Sequence, residues 1–159
     1  MEKALLESPI GNLRLSASNK GLSRLELPNK HKAKIASKNV SNKYLRKAID
    51  ELNKYFEGKL RRFTVKLDFE GTAFQKSVWN ALLEIPYGKT ISYGEMAHMI
   101  GNPKAQRAVG MANNRNPIAI IAPCHRVIGA DGSLTGYGGG LPVKEWLLSH
   151  EGFDTKNIS

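Results

Sequence analysis

The chain has 159 residues, which is enough for one compact domain or two small lobes with a buried core. It contains no apolar stretch of about twenty residues that could span a membrane. Residues 1–13 also lack the apolar core of a signal peptide. We therefore expect an intracellular, cytoplasmic protein.

The formal net charge is +10, from 24 Lys and Arg residues against 14 Asp and Glu residues. This balance favours a polyanionic partner, because basic side chains displace counterions from phosphates, but it is equally typical of a well-solvated basic surface. The chain has one cysteine, Cys124. A single cysteine excludes an internal disulfide and a cysteine-rich zinc site.

The first part of the chain predicts a small lobe that mixes strands and a helix. Leucines alternate with polar residues on either side of a turn at 19–21, which predicts a β-hairpin. Apolar residues at 45–56 share one helical face, and Gly58 is placed to end that helix. Alternation over 63–69 predicts a further strand with one face buried. The lysine-rich connector at 28–43 is predicted to be a mobile surface segment.

The next part of the chain predicts three helices. Apolar residues recur on one face over 74–85. Ser92 and Glu95 then form a capping-box pattern that predicts the start of a second helix. Gly101 is expected to end it, and Asn102-Pro103 to begin a third, with Asn as the N-cap and Pro at the first helical position. Two short helices joined by a tight turn predict a helix-turn-helix.

The third predicted helix is built mainly of small residues, which are Ala105, Ala108, Gly110 and Ala112. One long basic side chain, Arg107, stands among them. A glycine inside a helix costs about 1 kcal/mol relative to alanine. Small residues permit the close approach of another surface, either the core of the same chain or a DNA groove. The arginine and the helix-turn-helix pattern favour DNA contact.

The apolar run 118–122 predicts a buried strand that delivers Cys124 at its end. An isolated cysteine is commonly an inert small hydrophobe, but here a histidine and an arginine follow directly. A basic neighbour lowers the pKa of a thiol and increases the reactive thiolate. Since adjacent strand residues point to opposite faces, His125 needs a bend or an intervening water to act as a base for Cys124. Glu151, after a helix predicted over 142–150, is the candidate that orients His125.

Six glycines lie in the segment 128–141, with Tyr137 among them. Such a segment is either a flexible turn or a loop whose backbone approaches a ligand closely. It has neither the lysine ending of a P-loop nor the Rossmann spacing. Tyr137 is a candidate for stacking on a ligand or hydrogen bonding to it.

The segment Pro123-Cys124-His125-Arg126-Val127 resembles the active-site signature of the O6-alkylguanine-DNA alkyltransferases. The similarity extends over 74–152. Its other matching segments keep the family's order and spacing: Ile91-Ser92-Tyr93, Gly101-Asn102-Pro103, Arg107-Ala108-Val109-Gly110, Asn116-Pro117, Gly136-Tyr137 and Lys144-Glu145-Trp146-Leu147-Leu148. The resemblance implies an α+β fold, in which a ribonuclease-H-like α/β lobe at 1–70 supports a mostly helical domain at 71–159 that carries the helix-turn-helix.

The resemblance implies DNA repair by a single, irreversible transfer of an alkyl group from O6-alkylguanine to Cys124. His125 would accept the thiol proton through a bound water, Glu151 would orient His125, and Asn116 would brace the turn that carries the cysteine. Tyr93 would donate a proton to the guanine as it leaves. Such a protein acts as a monomer on double-stranded DNA, without a cofactor and with little sequence preference.

The same resemblance implies a DNA surface and a pocket for the flipped base. Arg107 would enter the base stack in place of the flipped nucleotide, and its helix would lie in the minor groove. The implied DNA-contacting residues are Ser92, Ala105, Arg107, Ala108 and Gly110. The implied pocket residues are Tyr93, Val127, Tyr137 and Gly138, together with the carbonyl groups of Cys124 and Val127 and the backbone N–H of Gly138.

Two departures from the family pattern and three rival functions bear on this interpretation. Some relatives hold zinc in the first lobe with cysteines that this chain lacks, so we predict no metal. Gly138 replaces a serine of some relatives, and we expect it to leave methyl transfer intact. The rivals are a lesion-recognition protein without transfer, a helix-turn-helix regulator and a cysteine hydrolase with a Cys-His-Glu triad. Cys124 argues against the first rival, and the second leaves the cysteine segment unexplained.

Overall fold

A computed structural model describes residues 1–28, 40–134, 137 and 139–153 of the chain. Most of the predicted connector at 28–43 therefore lies outside the described residues, as does Gly138. The chain divides into two compact units, Met1–Glu70 and Gly71–Ser159. In the ranges that are described, no helix is both long and apolar enough to cross a bilayer.

The described strands and helices confirm the predicted mixed α+β class. In chain order they are β1 (Glu2–Ser8), β2 (Gly11–Ala17), β3 (Leu22–Glu26), α1 (Lys43–Phe56), α2 (Ala73–Leu82), β4 (Ile91–Ser92), α3 (Tyr93–Met99), α4 (Gln106–Asn114), a 3₁₀ helix (Cys124–Arg126), β5 (Val127–Ile128) and α5 (Leu141–His150).

The first unit is an antiparallel sheet in the order β1-β2-β3 that packs one face against α1. The pair β2–β3 confirms the predicted hairpin, whereas β1 was not predicted from the sequence. Ala4, Leu15 and Leu25 lie side by side across the three strands and are buried. They form the inner face because alternate residues of a strand point the same way.

The predicted end of α1 at Gly58 is confirmed, whereas its N-cap was not predicted. Asn42 precedes the helix, and its side chain accepts hydrogen bonds from the backbone N–H groups of Tyr44 and Leu45 at 2.8 and 3.2 Å. Gly58 follows the helix with a φ of 78°, a conformation that glycine adopts without steric cost. The helix therefore begins where the Asn42 side chain satisfies terminal N–H groups, and it ends where Gly58 allows the backbone to leave the helical conformation.

The strand predicted over 63–69 is wrong, although its alternating burial is present. Val65 is buried between the exposed Thr64 and Lys66. Among the described residues the segment makes a single parallel bridge, between Leu22 and Leu67. The buried carboxylate of Glu51 takes the backbone N–H groups of Thr64 at 3.0 and 3.1 Å and of Val65 at 2.8 Å. The side chain of Glu51 on α1 thus supplies the hydrogen-bond acceptors that a neighbouring strand would otherwise supply.

The second unit contains the predicted helix pair, α3 and α4, packed against each other and against α2. Ser92 caps α3 in the predicted capping box: its hydroxyl accepts the N–H of Glu95 at 3.1 Å, and the Glu95 carboxylate accepts the N–H of Ser92 at 3.1 Å. The prediction that Asn102-Pro103 starts the next helix is wrong. The N–H of Asn102 bonds the carbonyl of Ala97 at 3.0 Å and closes α3 as a Schellman motif around Gly101.

Helix α4 begins three residues later, at Gln106, with Ala105 in the N-cap position. The Ala105 side chain cannot accept a hydrogen bond, and its backbone N–H bonds the carbonyl of Asn102 at 3.0 Å instead. The turn between the helices is therefore longer than the sequence predicts.

We expect Glu51→Gln to lower the free energy of unfolding by about 2 kcal/mol, because buried N–H groups lose a charged acceptor and meet an amide donor. Urea unfolding measures the change. Glu57→Gln is the matched control, since the Glu57 side chain is 56% exposed and forms an ion pair with Lys59 at 3.2 Å. An equal effect of the two substitutions would contradict the role given to Glu51.

Candidate active site

Cys124 lies at the start of the 3₁₀ helix and is 5% exposed. The strand predicted over 118–122 is wrong, because this buried apolar stretch folds into a compact turn. The side chain of Asn116 spans that turn: its Nδ2 donates to the carbonyl of Ala122 at 2.7 Å, and its Oδ1 accepts the N–H of Ile118 at 3.0 Å. An apolar run indicates burial without distinguishing a strand from other buried backbone.

The turn is held tightly enough to place Ile120 at a φ of 70°. A β-branched residue rarely adopts this conformation, so the surrounding contacts must maintain it. The backbone bonds from Ala122 to Ile118 at 3.0 Å and from Ile121 to Ala119 at 2.8 Å close the turn. The cysteine therefore sits on a strained, buried and well-bonded support.

His125 and Arg126 both bind the carboxylate of Glu151, which ends α5. The Nε2 of His125 lies 2.7 Å from Glu151 Oε2, and Arg126 donates its Nε to Oε1 at 2.7 Å and its Nη2 to Oε2 at 3.0 Å. Burial alone would raise the pKa of Glu151, but the hydrogen bonds and charges of His125 and Arg126 hold that pKa well below its usual range. Glu151 is therefore ionised, and its neighbours satisfy both oxygens.

The ionised carboxylate fixes the tautomer of His125. Nε2 must carry the proton that it donates to Glu151, so Nδ1 of the neutral ring carries a lone pair. Burial lowers the pKa of His125 against the opposing hydrogen bond and charge of Glu151. Nδ1 is buried and has no hydrogen-bond partner within the described part of the chain. The imidazole is thus neutral, oriented and able to accept a proton.

The cation that acts on Cys124 is Lys144, which the sequence analysis gave no role. Lys144 is fully buried on α5 and donates to the carbonyl of Val127 at 2.6 Å. Burial raises the pKa of the Cys124 thiol, while hydrogen bonding from the side chains of Asn116 and Tyr137 and the charge of Lys144 lower it. Burial also lowers the pKa of Lys144 to about 8, against the attraction of the Cys124 charge.

A sequence signal for Lys144 existed. Lys144, Leu147, Leu148 and Glu151 have the spacing of one helical face, and a lysine on an apolar face requires a buried partner. Arg126, which the sequence places beside the cysteine, is instead occupied by Glu151 and by the carbonyl of Ile85 at 2.6 Å.

The short parallel pair β4–β5 brings the start of α3 beside the cysteine segment. Ile91 pairs with Val127 and Ser92 with Ile128. This pairing puts Tyr93, a predicted pocket residue, next in the chain after the strand that flanks Val127. Tyr137 is half-buried, with Lys144 Nζ 5.9 Å from its ring centre. Gly138 lies outside the described residues.

Asn113 is a further neighbour of the cysteine that the sequence analysis missed. It is buried on α4, and its Nδ2 donates to the carbonyl of Cys124 at 3.4 Å. The adjacent carbonyl of Ala112 accepts the indole N–H of Trp79 at 2.9 Å, which ties α4 to α2. The polar residue on this inner face was visible in the sequence, but its partner depends on the unpredicted turn at 118–122.

The opposite face of α4 is open. Arg107 and Ala108 are exposed, and Gly110 and the preceding Ala105 are half-exposed. Arg107 is therefore an exposed long side chain among small residues. Within the described residues, no group of three His, Cys, Asp or Glu side chains is arranged to hold a metal ion.

The second unit combines a helix-turn-helix with a buried free cysteine that is followed by a histidine bound to a buried carboxylate. Two family profiles match the chain: the ribonuclease-like domain of 6-O-methylguanine DNA methyltransferase over residues 1–69 and its DNA-binding domain over residues 73–153. A methylated-DNA–protein-cysteine methyltransferase from Methanosarcina acetivorans is 57% identical over 96% of this chain and 99% of its own length. The chain belongs to this methyltransferase family, which confirms the resemblance.

Solved structures agree with this assignment. The crystal structure of Mycobacterium tuberculosis OGT in complex with DNA matches with a TM-score of 0.86 and 47% identity, over 99% of this chain and 95% of that one. An O6-methylguanine DNA methyltransferase from Methanococcus jannaschii matches with a TM-score of 0.70 and 28% identity, over 94% and 93% of the two chains.

We expect Lys144→Met to slow alkylation of Cys124 at neutral pH by about tenfold, because losing the cation raises the thiol pKa and each pKa unit is tenfold in thiolate. The rate of reaction with iodoacetamide, measured against pH, should shift to higher pH. Lys104→Met removes an exposed lysine and is the control. Superimposable pH profiles for Lys144→Met and the wild type would contradict the effect.

Proposed function

We propose that this protein repairs DNA by transferring the alkyl group of O6-alkylguanine, methyl above all, to the sulfur of Cys124. The observation that carries the proposal is the buried Cys124 followed by a neutral His125 that Glu151 orients, in a member of this methyltransferase family. Each molecule accepts one alkyl group and is consumed.

The reaction is a displacement at the alkyl carbon. The thiol of Cys124 loses its proton through a water to Nδ1 of His125, whose lone pair the hydrogen bond to Glu151 directs. The charge of Lys144 stabilises the thiolate. The S–C bond forms as the bond from the alkyl carbon to O6 breaks, and the electron pair of that bond passes into the guanine.

The leaving guanine needs a proton and a defined orientation. Tyr93 supplies the proton to the ring, and the carbonyl groups of Cys124 and Val127 accept hydrogen bonds from the guanine amino group. Each carbonyl oxygen has two lone pairs, so Val127 can bond Lys144 and still accept another donor. Tyr137 lines the pocket, with the backbone N–H of Gly138 as a donor to the base. Asn116 keeps the cysteine turn in place throughout.

The product explains why the reaction does not turn over. A thioether has no carbonyl carbon for water to attack, unlike the thioester of a cysteine hydrolase.

DNA binding is assigned to the open face of α4, lying in the minor groove. The target base is inside the duplex and must be flipped out, at a cost of a few kcal/mol that Arg107 offsets by filling the gap. Ser92, Ala105, Ala108 and Gly110 are the further residues to which we assign DNA contact. Affinity comes mainly from phosphate contacts and falls with salt, with little sequence preference.

Gly110 supports a close approach of DNA. Among the described residues, a Cβ built on it would meet only the ring of Tyr93, at 3.8 Å, which is an ordinary contact. The protein's own packing therefore permits alanine, which would also be the better helix former by about 1 kcal/mol. A partner that comes close to the helix backbone gives the glycine its purpose.

We place this activity in the cytoplasm, on chromosomal DNA. A protein that works through a free thiolate needs a reducing compartment, because disulfide exchange would otherwise consume the sulfur.

The first test is the intact mass of the protein after mixing with duplex DNA that carries one O6-methylguanine. The wild type should gain one methyl group while the DNA regains guanine, and Cys124→Ala should gain none. A wild type that binds the lesion without modification would make the protein a recognition module and contradict the proposal.

We expect Gly110→Ala to stabilise the free protein by about 1 kcal/mol and to slow repair of duplex DNA. Thermal unfolding and single-turnover kinetics measure the two effects. Reaction with the free base O6-methylguanine is the control and should be unchanged, because the added methyl group meets the Tyr93 ring only at an ordinary contact distance of 3.8 Å. Unimpaired duplex repair would show that DNA does not approach Gly110 closely.

A further inference from the structure

Helix α4 exposes one large apolar side chain, that of Met111, which is 57% exposed. Single exposed apolar side chains are common on protein surfaces, so exposure alone gives Met111 no role, and its position on the helix is the relevant observation. The buried residues Val109, Ala112 and Asn113 define the opposite, inward face of the same helix.

Met111 shares its face with Arg107. Residues four apart in a helix are neighbours on its surface. Both side chains are exposed, and Gly110 and Ala108 between them are too small to cover them. At a rise of 1.5 Å per residue, Met111 lies about 6 Å beyond Arg107 along the helix axis, roughly the span of two base steps.

Building on the proposed function, we propose that Met111 is an apolar wedge that lies against the floor of the minor groove beside the gap filled by Arg107, and that it makes the repair rate depend on the neighbouring base pair. Apolar wedges, methionine among them, recur in proteins that bind and deform the minor groove. The unbranched methionine side chain adapts its shape to such a surface.

The chemistry of the groove floor predicts which pairs oppose the wedge. A G·C pair presents the guanine N2 amino group in the minor groove, whereas an A·T pair presents only acceptors and no protruding group. Met111 offers no hydrogen-bond acceptor comparable to water, so pressing it on the amino group desolvates a donor without replacing its partner. Repair should therefore be slower beside G·C.

Inosine separates this effect from the rest of the base pair. An inosine·C pair keeps the major-groove pattern of G·C and lacks only the N2 amino group. The experiment measures single-turnover methyl transfer from duplexes that carry one O6-methylguanine and differ only in neighbouring pairs, which are changed from G·C to inosine·C in turn. Weaker pairing of inosine affects every protein variant alike, so the informative quantity is the difference between variants.

Four proteins are compared: the wild type, Met111→Ala, Met111→Leu and Leu83→Ala. Leu83 is 42% exposed, follows α2 and is the matched apolar control. At one of the neighbouring pairs the wild type should gain about fivefold from inosine, relative to Met111→Ala. Met111→Leu should keep that gain, and Leu83→Ala should behave as the wild type. On duplexes with inosine·C at that pair, where the penalty is absent, Met111→Ala should repair DNA more slowly than the wild type, with unchanged reaction of the free base.

Equal inosine effects in the wild type and Met111→Ala at every neighbouring pair would overturn the wedge. So would loss of activity on duplex and free base alike, since that result would assign Met111 to folding or chemistry. A wild type that takes no methyl group from any duplex would overturn the proposed function itself, which is a different failure.

Discussion

The carboxylate of Glu151 connects three parts of the second unit that are distant in sequence. It ends α5, binds His125 and Arg126 of the 3₁₀ helix, and through Arg126 reaches the carbonyl of Ile85 beyond α2. Burying such charges is costly, and removing one partner of a buried ion pair typically costs about 3–5 kcal/mol because the other charge is left unpaired. Removal of Glu151, His125 or Arg126 is therefore expected to destabilise the other two in their buried positions.

The bonds between Arg126 and Glu151 also affect the orientation of His125. An imidazole held by one hydrogen bond can rotate about it, but the Glu151 that binds His125 is itself fixed by two bonds from Arg126. The direction of the Nδ1 lone pair is thus set by Glu151, which Arg126 holds in place. The sequence suggested that Arg126 affects the thiol directly. In the structure Arg126 contacts Glu151, and its effect on His125 passes through that carboxylate.

The thiol itself lies between opposing effects. Burial disfavours the thiolate, while Asn116, Tyr137 and Lys144 favour it. Lys144 is subject to the same conflict, since burial lowers its own pKa to about 8. A cysteine that is consumed in one reaction gains from remaining largely protonated until substrate fills the site, because a permanently ionised thiolate would react with any alkylating agent or oxidant.

The sequence correctly predicted elements that depend on local periodicity and capping. Its predictions were wrong where one side chain forms hydrogen bonds with the backbone of a whole segment. The hairpin β2–β3, helix α1 and the capping box of Ser92 follow from nearby residues. The two wrong strands share one cause. Glu51 accepts hydrogen bonds from the N–H groups of one segment, and Asn116 bridges the backbone of the other. Neither set of hydrogen bonds can be seen in hydrophobic periodicity. Lys144 was missed although its helical face signalled a buried partner, because that partner, the carbonyl of Val127, lies 17 residues away and leaves no trace in local periodicity.

Helix α4 joins the two halves of the proposed function. Its inner face holds Asn113 on the cysteine carbonyl, while its outer face presents Arg107. The overall positive charge lies elsewhere, since sixteen of the 24 basic residues precede Gly71 and only eight of the 14 acidic ones do. General attraction to DNA and the placing of one base are thus assigned to different residues. Long-range attraction between charges concentrates the protein on DNA, and short-range contacts of small and apolar residues on α4 determine where along the DNA it binds. Because α4 carries few charges, attraction to phosphates has little effect on its position in the groove.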